Sequence, residues 1–251
     1  MKNILVTGAG GYLGTELIKQ LMKTENKIYA LTSNKLKIEK RFGSSVICFS
    51  NDELFAEKSF LSEIDIVVHC AFARGHNGED LRDSIHFTKE VFLLATDNNC
   101  SIINISSRSV YGQNPNTPWT ENSKLIPDSL YALAKYSSEL LAETIAKYKV
   151  VFTNIRLAGL LAPTFEDRIV NKFIHYSISN KEIKIVGGKQ QFAFLDVRDA
   201  AAGIIALLNI PFKNWKQIYN LGYLKSYTIK EIAETVKQVA KDYHIDVEIK
   251  K

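Results

Sequence analysis

Six short runs rich in apolar and β-branched residues, at 3–7, 27–32, 46–50, 65–70, 101–106 and 150–156, punctuate this chain. Between them lie stretches whose apolar residues recur at helical spacing, at 12–24, 53–62, 79–99, 129–148, 166–179, 197–208 and 228–243. That alternation predicts an α/β fold in which helices cover both faces of a doubly wound parallel sheet. Four of the five prolines, Pro115, Pro118, Pro127 and Pro163, mark 112–128 and 160–166 as loops beyond strand ends. In such a sheet, ligands bind at the carboxyl ends of the strands.

The first of those ends carries "TGAGGYLG" (7–14). The spacing is G-x-x-G-x-x-G, with Gly8, Gly11 and Gly14 following Thr7. Gly8 is expected to permit the tight turn, Gly11 to let the backbone approach a pyrophosphate, and Gly14 to let the helix pack closely on the sheet. The free N–H groups of the helix N-terminus then face the anion. At the end of the second strand, "IYALTSNKLK" places Thr32 where an acidic residue would grip a ribose 2′-hydroxyl, followed by Ser33, Asn34 and Lys35. Hydroxyls and a lysine accommodate a 2′-phosphate, so NADP is favoured over NAD.

Further along come "INISSRSVYG" (103–112) and "YALAKYSSELLAE" (131–143). Tyr131 and Lys135 are four apart on an expected helix and share one face. A tyrosine, whose ordinary pKa is about 10, works as an acid or base near neutrality only if its phenolate is stabilised. An ammonium beside it does so, and a serine hydroxyl at the end of the preceding strand is placed to bond the substrate oxygen. The net charge of +5 is scattered, which disfavours a nucleic-acid partner. Cys48, Cys70 and Cys100 have no metal or disulfide spacing, no His/Asp/Glu constellation suggests a metal, and no long uncharged apolar run suggests a membrane span. A cytoplasmic protein is expected.

With "DIVVHCAF" (65–72), "NIRLAGLLAP" (154–163), "FLDVRDAA" (194–201) and "YNLG" (219–222) added, the chain resembles the extended short-chain dehydrogenase/reductases, the family of NAD-dependent epimerases/dehydratases. The resemblance implies a Rossmann cofactor domain over 1–160 and a small interleaved substrate lobe over 161–251, shortened at its C-terminus. It makes Tyr131 the acid/base, Lys135 its partner and ribose ligand, and Ser107 the hydroxyl beside the substrate carbonyl. Gly8, Gly11, Tyr12, Leu13 and Gly14 would line the pyrophosphate, with Ala71, Phe72 and Ser106 along the cofactor and Asp52 at the adenine. It further implies a homodimer through helices 79–99 and 129–148, with Phe87, Val91, Leu94, Leu140 and Leu141 as apolar candidates.

The reaction implied is hydride transfer on a sugar, as an epimerase or ketoreductase, on a nucleotide-linked substrate. Family dehydratases carry an Asp-Glu pair after the serine, whereas this chain has Arg108 and Ser109. Two diphosphate ligands expected in the family are also absent: Gly159 replaces an asparagine and Phe192 an arginine. Arg74, Arg108, Lys172 and Phe192 are the candidate substrate contacts, with Lys189 a further cation, and His76 sits in the same loop as Arg74. The alternatives are a non-catalytic dinucleotide-binding module and a reductase of non-sugar carbonyls.

Overall fold

The first strand, β1 (Asn3–Thr7), is buried from Ile4 onward and pairs in parallel with both its neighbours, as an interior strand must. In this computed structural model the described residues are 1–56, 58–73, 77–112, 118–166, 168–187 and 190–250. Arg74, His76 and Lys189, named above as substrate-loop or diphosphate candidates, lie outside them. After β1 follow α1 (Tyr12–Leu21), β2 (Lys27–Thr32), α2 (Lys35–Phe42), β3 (Ile47–Ser50), α3 (Asn51–Ala56) and β4 (Ile66–His69). Next come α4 (Gly78–Asp97), β5 (Ser101–Ser107), α5 (Leu130–Ala146) and β6 (Phe152–Leu157). Beyond them are β7 (Gly159–Leu161), α6 (Ile169–Ser179), β8 (Glu182–Lys184), β9 (Gln191–Asp196), α7 (Val197–Leu208), β10 (Ile218–Leu221), β11 (Ser226–Thr228), α8 (Ile229–Asp242) and β12 (Glu248–Lys250).

The chain divides into two units, Met1–Leu157 with Val197–Leu221, and Ala158–Asp196 with Gly222–Lys251. This differs from the division expected at 160/161. Residues 197–221 return to the first unit because β10 pairs in parallel with β6 at the sheet edge and α7 packs on α1. The sheet of that unit is parallel throughout, in the order β10-β6-β5-β4-β1-β2-β3. The doubly wound sheet expected from the alternation is therefore present. The second unit has a three-stranded sheet, β11-β9-β7, a two-stranded one, β12-β8, and a core in which Phe173 of α6 meets Ile232 and Val236 of α8.

Local chemistry explains the boundaries. Thr24 bonds Leu21 O through both its amide and its hydroxyl, which ends α1 at Leu21 rather than at 24. Ser50 and Glu53 cap each other reciprocally, the Glu53 amide donating to Ser50 Oγ and the Ser50 amide to Glu53 Oε2. That starts α3 at Asn51, and the single helix expected over 53–62 becomes α3 and a 3₁₀ stretch, Lys58–Glu63. The helices α4 and α5 are capped by Asn77 and Ser129. Their apolar faces cover the sheet: Val91 and Leu94 are buried, and Phe87 and Leu141 pack half-buried against the same core. Four of the five apolar residues expected at a dimer face are thus turned inward, because each helix must first cover its strands. On α5 the exposed ones are Leu130, Leu133 and Leu140. Among the described residues, no helix is long and apolar enough to cross a membrane.

Candidate functional site

At the carboxyl end of β1 the backbone folds back so tightly that no side chain fits. Gly8 has φ +64°, and a Cβ there would lie 2.7 Å from the Ala71 backbone. A Cβ on Gly14 would lie 2.3 Å from Gly8 O, so Gly14 is the contact by which α1 packs on the turn. Gly11 is the N-cap of α1, which has no side-chain cap and no acidic residue in its first turn. Its N-terminus is therefore electrostatically suited to an anion. A cleft of about 620 Å³ opens here, lined among others by Gly8, Gly11, Thr32, Ser33, Ala71 and Phe72.

Tyr12, Leu13, Gly14, Asp52 and Ser106, also expected at the cofactor, are not among the residues that line this cleft. Leu13 and Gly14 are buried behind the turn, and Tyr12 is partly exposed. Asp52 is exposed in the first turn of α3, while its neighbour Asn51 lines the cleft. Ser106 is buried and its hydroxyl is committed to Glu139. At the second-strand end, the Thr32 hydroxyl accepts from the Asn34 amide, and Asn34 caps α2 through the Lys37 amide. Lys35 is held by Glu53 at 2.8 Å, whereas Lys37 lines the cleft.

A hydrogen-bond chain fixes the walls of this cleft. The Thr88 hydroxyl donates to Ser84 O, so it accepts from His69 Nε2 at 2.9 Å. His69 Nδ1 is then the acceptor for the Thr7 hydroxyl, also at 2.9 Å, and Thr7 Oγ1 accepts from the Ala71 amide. The Ala73 amide in turn donates to Ser84 Oγ. Burial, with a smaller contribution from the charge of Lys135, pulls the His69 pKa down to about 3, so this ring stays neutral. His69 is thus a core histidine with both nitrogens bonded.

Phe72 joins the cleft to α5. Tyr131 meets its ring edge-on, with centroids 6.3 Å apart, and Lys135 Nζ stands 3.7 Å from its centroid. The Lys135 amine is buried, donates to Ile105 O at 2.8 Å, and has its pKa lowered to about 7 by desolvation. A cation so poorly solvated gains strongly from any anion brought beside it. Ser107 ends β5, and its oxygen accepts from both the amide and the hydroxyl of Ser109. As an acceptor twice over, it keeps its own proton for a further partner.

Behind these residues runs a network that the sequence does not announce. Arg156 binds Glu139 bidentately at 3.0 and 2.8 Å, with both side chains buried. Its Nη1 donates to Tyr111 OH and to Glu121 O. Tyr111 OH donates to Asn220 Oδ1, whose amide and side chain bond Glu121 and Trp119. Trp119 stacks on Tyr111 at 5.3 Å, and the half-buried Arg108 guanidinium lies 6.0 Å over Trp119. The one available signal was a glutamate, Glu139, four residues after Lys135 on the same helix face. Lys172 is exposed on α6 and Phe192 stacks on Phe194 in β9, both in the second unit.

Residues 4–222 match a family described as the NAD dependent epimerase/dehydratase family. A putative UDP-glucose 4-epimerase of Methanocaldococcus jannaschii is 26% identical, over 93% of this chain and 81% of its own. Among solved structures, the UDP-N-acetylglucosamine 4-epimerase from Methanobrevibacter ruminantium M1 in complex with UDP-N-acetylmuramic acid superposes with a TM-score of 0.85 at 25% identity, covering 99% of this chain and 84% of that one. The UDP-N-acetylglucosamine 4-epimerase from Bacillus cereus superposes at 0.83 with 23% identity, covering 100% and 90%.

Proposed function

The chain belongs to the NAD-dependent epimerase/dehydratase family, and from that premise we propose that it is a nicotinamide-dependent enzyme acting on a nucleotide-linked sugar, as an epimerase. The observation that carries this reading is the position of Phe72, which lines the glycine-loop cleft and touches both Tyr131 and Lys135. The cleft fits a dinucleotide on its own terms: side-chain-free backbone at Gly8 and Gly11, an uncapped helix N-terminus, and polar residues at the ribose end. Bound there, the nicotinamide supplies the hydride acceptor and donor.

The chain's own residues handle the proton. Ser107 donates to the sugar oxygen at the reacting carbon, and the Tyr131 phenol takes or returns that oxygen's proton. Lys135, poorly solvated and four residues on, stabilises the phenolate that results. Elimination would need a further acid and base, and the positions after Ser107 hold Arg108 and Ser109 instead. That favours epimerisation over dehydration, with ketoreduction as the nearer alternative. The relatives whose names specify UDP-sugar 4-epimerases support the same choice.

Thr32, Ser33, Asn34 and Lys37 line the cleft at and after the second strand, with Asp83 of α4 also on its lining, and Lys37 in place of an acid after that strand supports acceptance of NADP. The second unit is proposed as the substrate lobe. A homodimer through the exposed leucines of α5 and a cytoplasmic setting, in keeping with three free cysteines, complete the proposal. The test is calorimetric titration with NAD and NADP, then incubation of the loaded protein with UDP-sugars and NMR analysis of the product. Interconversion of two epimers without net cofactor reduction is expected. Tight dinucleotide binding with no turnover of any sugar would instead favour a binding module.

A further inference from the structure

Arg108 directly follows Ser107, so their Cα atoms are about 3.8 Å apart. It is half-buried, and burial alone lowers its pKa, with no charged side chain contributing. Among the described residues its side chain has neither a hydrogen bond nor an ion pair, and its guanidinium lies over the face of Trp119. That tryptophan is a fixed shelf, stacked on Tyr111, which is itself bonded to Arg156 and Asn220. A guanidinium withdrawn from water without a counter-charge is unfavourable, and a planar fork held beside an aromatic face is well formed for a carboxylate.

We propose that Arg108 is a specificity-determining residue that binds a carboxylate carried on the sugar ring next to the reacting carbon, so that the substrate is a nucleotide-linked acidic sugar. This rests on the nucleotide-sugar reading above and narrows it. The placement argues against the diphosphate as the occupant. On this assignment the anion sits near the oxygen that Ser107 bonds, because the two residues are adjacent in the chain, whereas the diphosphate is attached at the anomeric carbon. The same arginine stands where elimination chemistry would need an acid or base, so one position both withholds dehydration and selects charge.

The test uses the full-length protein saturated with dinucleotide, titrated with UDP-glucuronic acid, UDP-glucose and UDP. The wild type is expected to bind the uronate at least about tenfold more tightly than the neutral sugar, as one charge-assisted bidentate pair allows. Arg108→Gln should level the two sugars and leave UDP unchanged, while Arg108→Lys, which keeps the charge and loses the fork, should retain part of the preference. Unchanged dinucleotide affinity and Tm show that each variant is folded. A wild type without preference for the uronate overturns the inference, and so does a loss of UDP affinity in Arg108→Gln, which would make the arginine a diphosphate ligand. Silence from all three ligands overturns the nucleotide-sugar reading itself, and with it this one.

Discussion

At the β1–β4 end of the cleft the backbone does the positioning, with Gly8 against Ala71, Gly14 against Gly8, and neutral hydroxyls and one neutral imidazole tying the walls. Around β5 and β6, beyond Phe72, side chains do it, through a buried amine, a buried carboxylate–guanidinium pair and the phenol and indole hung from them. The first arrangement tolerates almost no added atom but is indifferent to neutral pH. The second tolerates changes of shape better than changes of charge. Binding a dinucleotide needs a surface that does not move, whereas moving a proton needs groups whose charge is poised.

Substitutions should separate the two ends. Tyr131→Phe should lower turnover at least about 1000-fold, a value typical of a lost general acid/base, while the dinucleotide Kd stays within about threefold of wild type. Arg156→Met strands the Glu139 carboxylate in the interior and should cost about 3–5 kcal/mol in urea unfolding. Pairing it with Glu139→Leu should restore much of that, because the uncompensated charge is then gone. If the double variant is no better than the single one, the pair is not what holds this end together.

At the other end, Gly14→Ala forces a Cβ to within 2.3 Å of Gly8 O. It should destabilise the fold by about 2 kcal/mol and weaken dinucleotide binding, read by melting and calorimetry, with the Lys135 titration unmoved. The pH dependence sharpens the contrast further. The folded pKa of Lys135, about 7, lies below the model value of 10.5, so between those values the unfolded chain holds the extra proton and stability rises with pH. Relative to Lys135→Met, the wild type should therefore gain about 2 kcal/mol from pH 7 to 9. A parallel pair of pH profiles would place the amine in water. The smallest effect is expected from Lys37→Glu, which should lower the NADP-to-NAD affinity ratio about fivefold, a change typical of one exposed charge.

The doubly wound sheet was legible because its strands are buried on both sides and read as continuous apolar runs, of which "KIYALT" became β2 with its expected bounds. The glycine turn was legible because only glycine satisfies its φ and its packing. The short strands of the second unit were not, since three-residue strands such as β7, β8 and β12 carry no periodicity. Nor were the α5 partners: Glu139 reads as an ordinary helix charge until β6 brings Arg156 beside it. The position of Asp52 was not legible for a local reason: the Ser50–Glu53 cap starts α3 early, and Asn51, not Asp52, lines the cleft.

The hydrogen-bond chain through His69 also makes the cleft a clock. The Ala71 amide is tied to a hydroxyl on β1 and the Ala73 amide to one on α4, on either side of the same three-residue segment. Neither proton can be lost to solvent deuterium until its own wall parts from that segment. Their two exchange rates, compared residue by residue, report separately how often the strand side and the helix side of the cleft open, without any ligand being added.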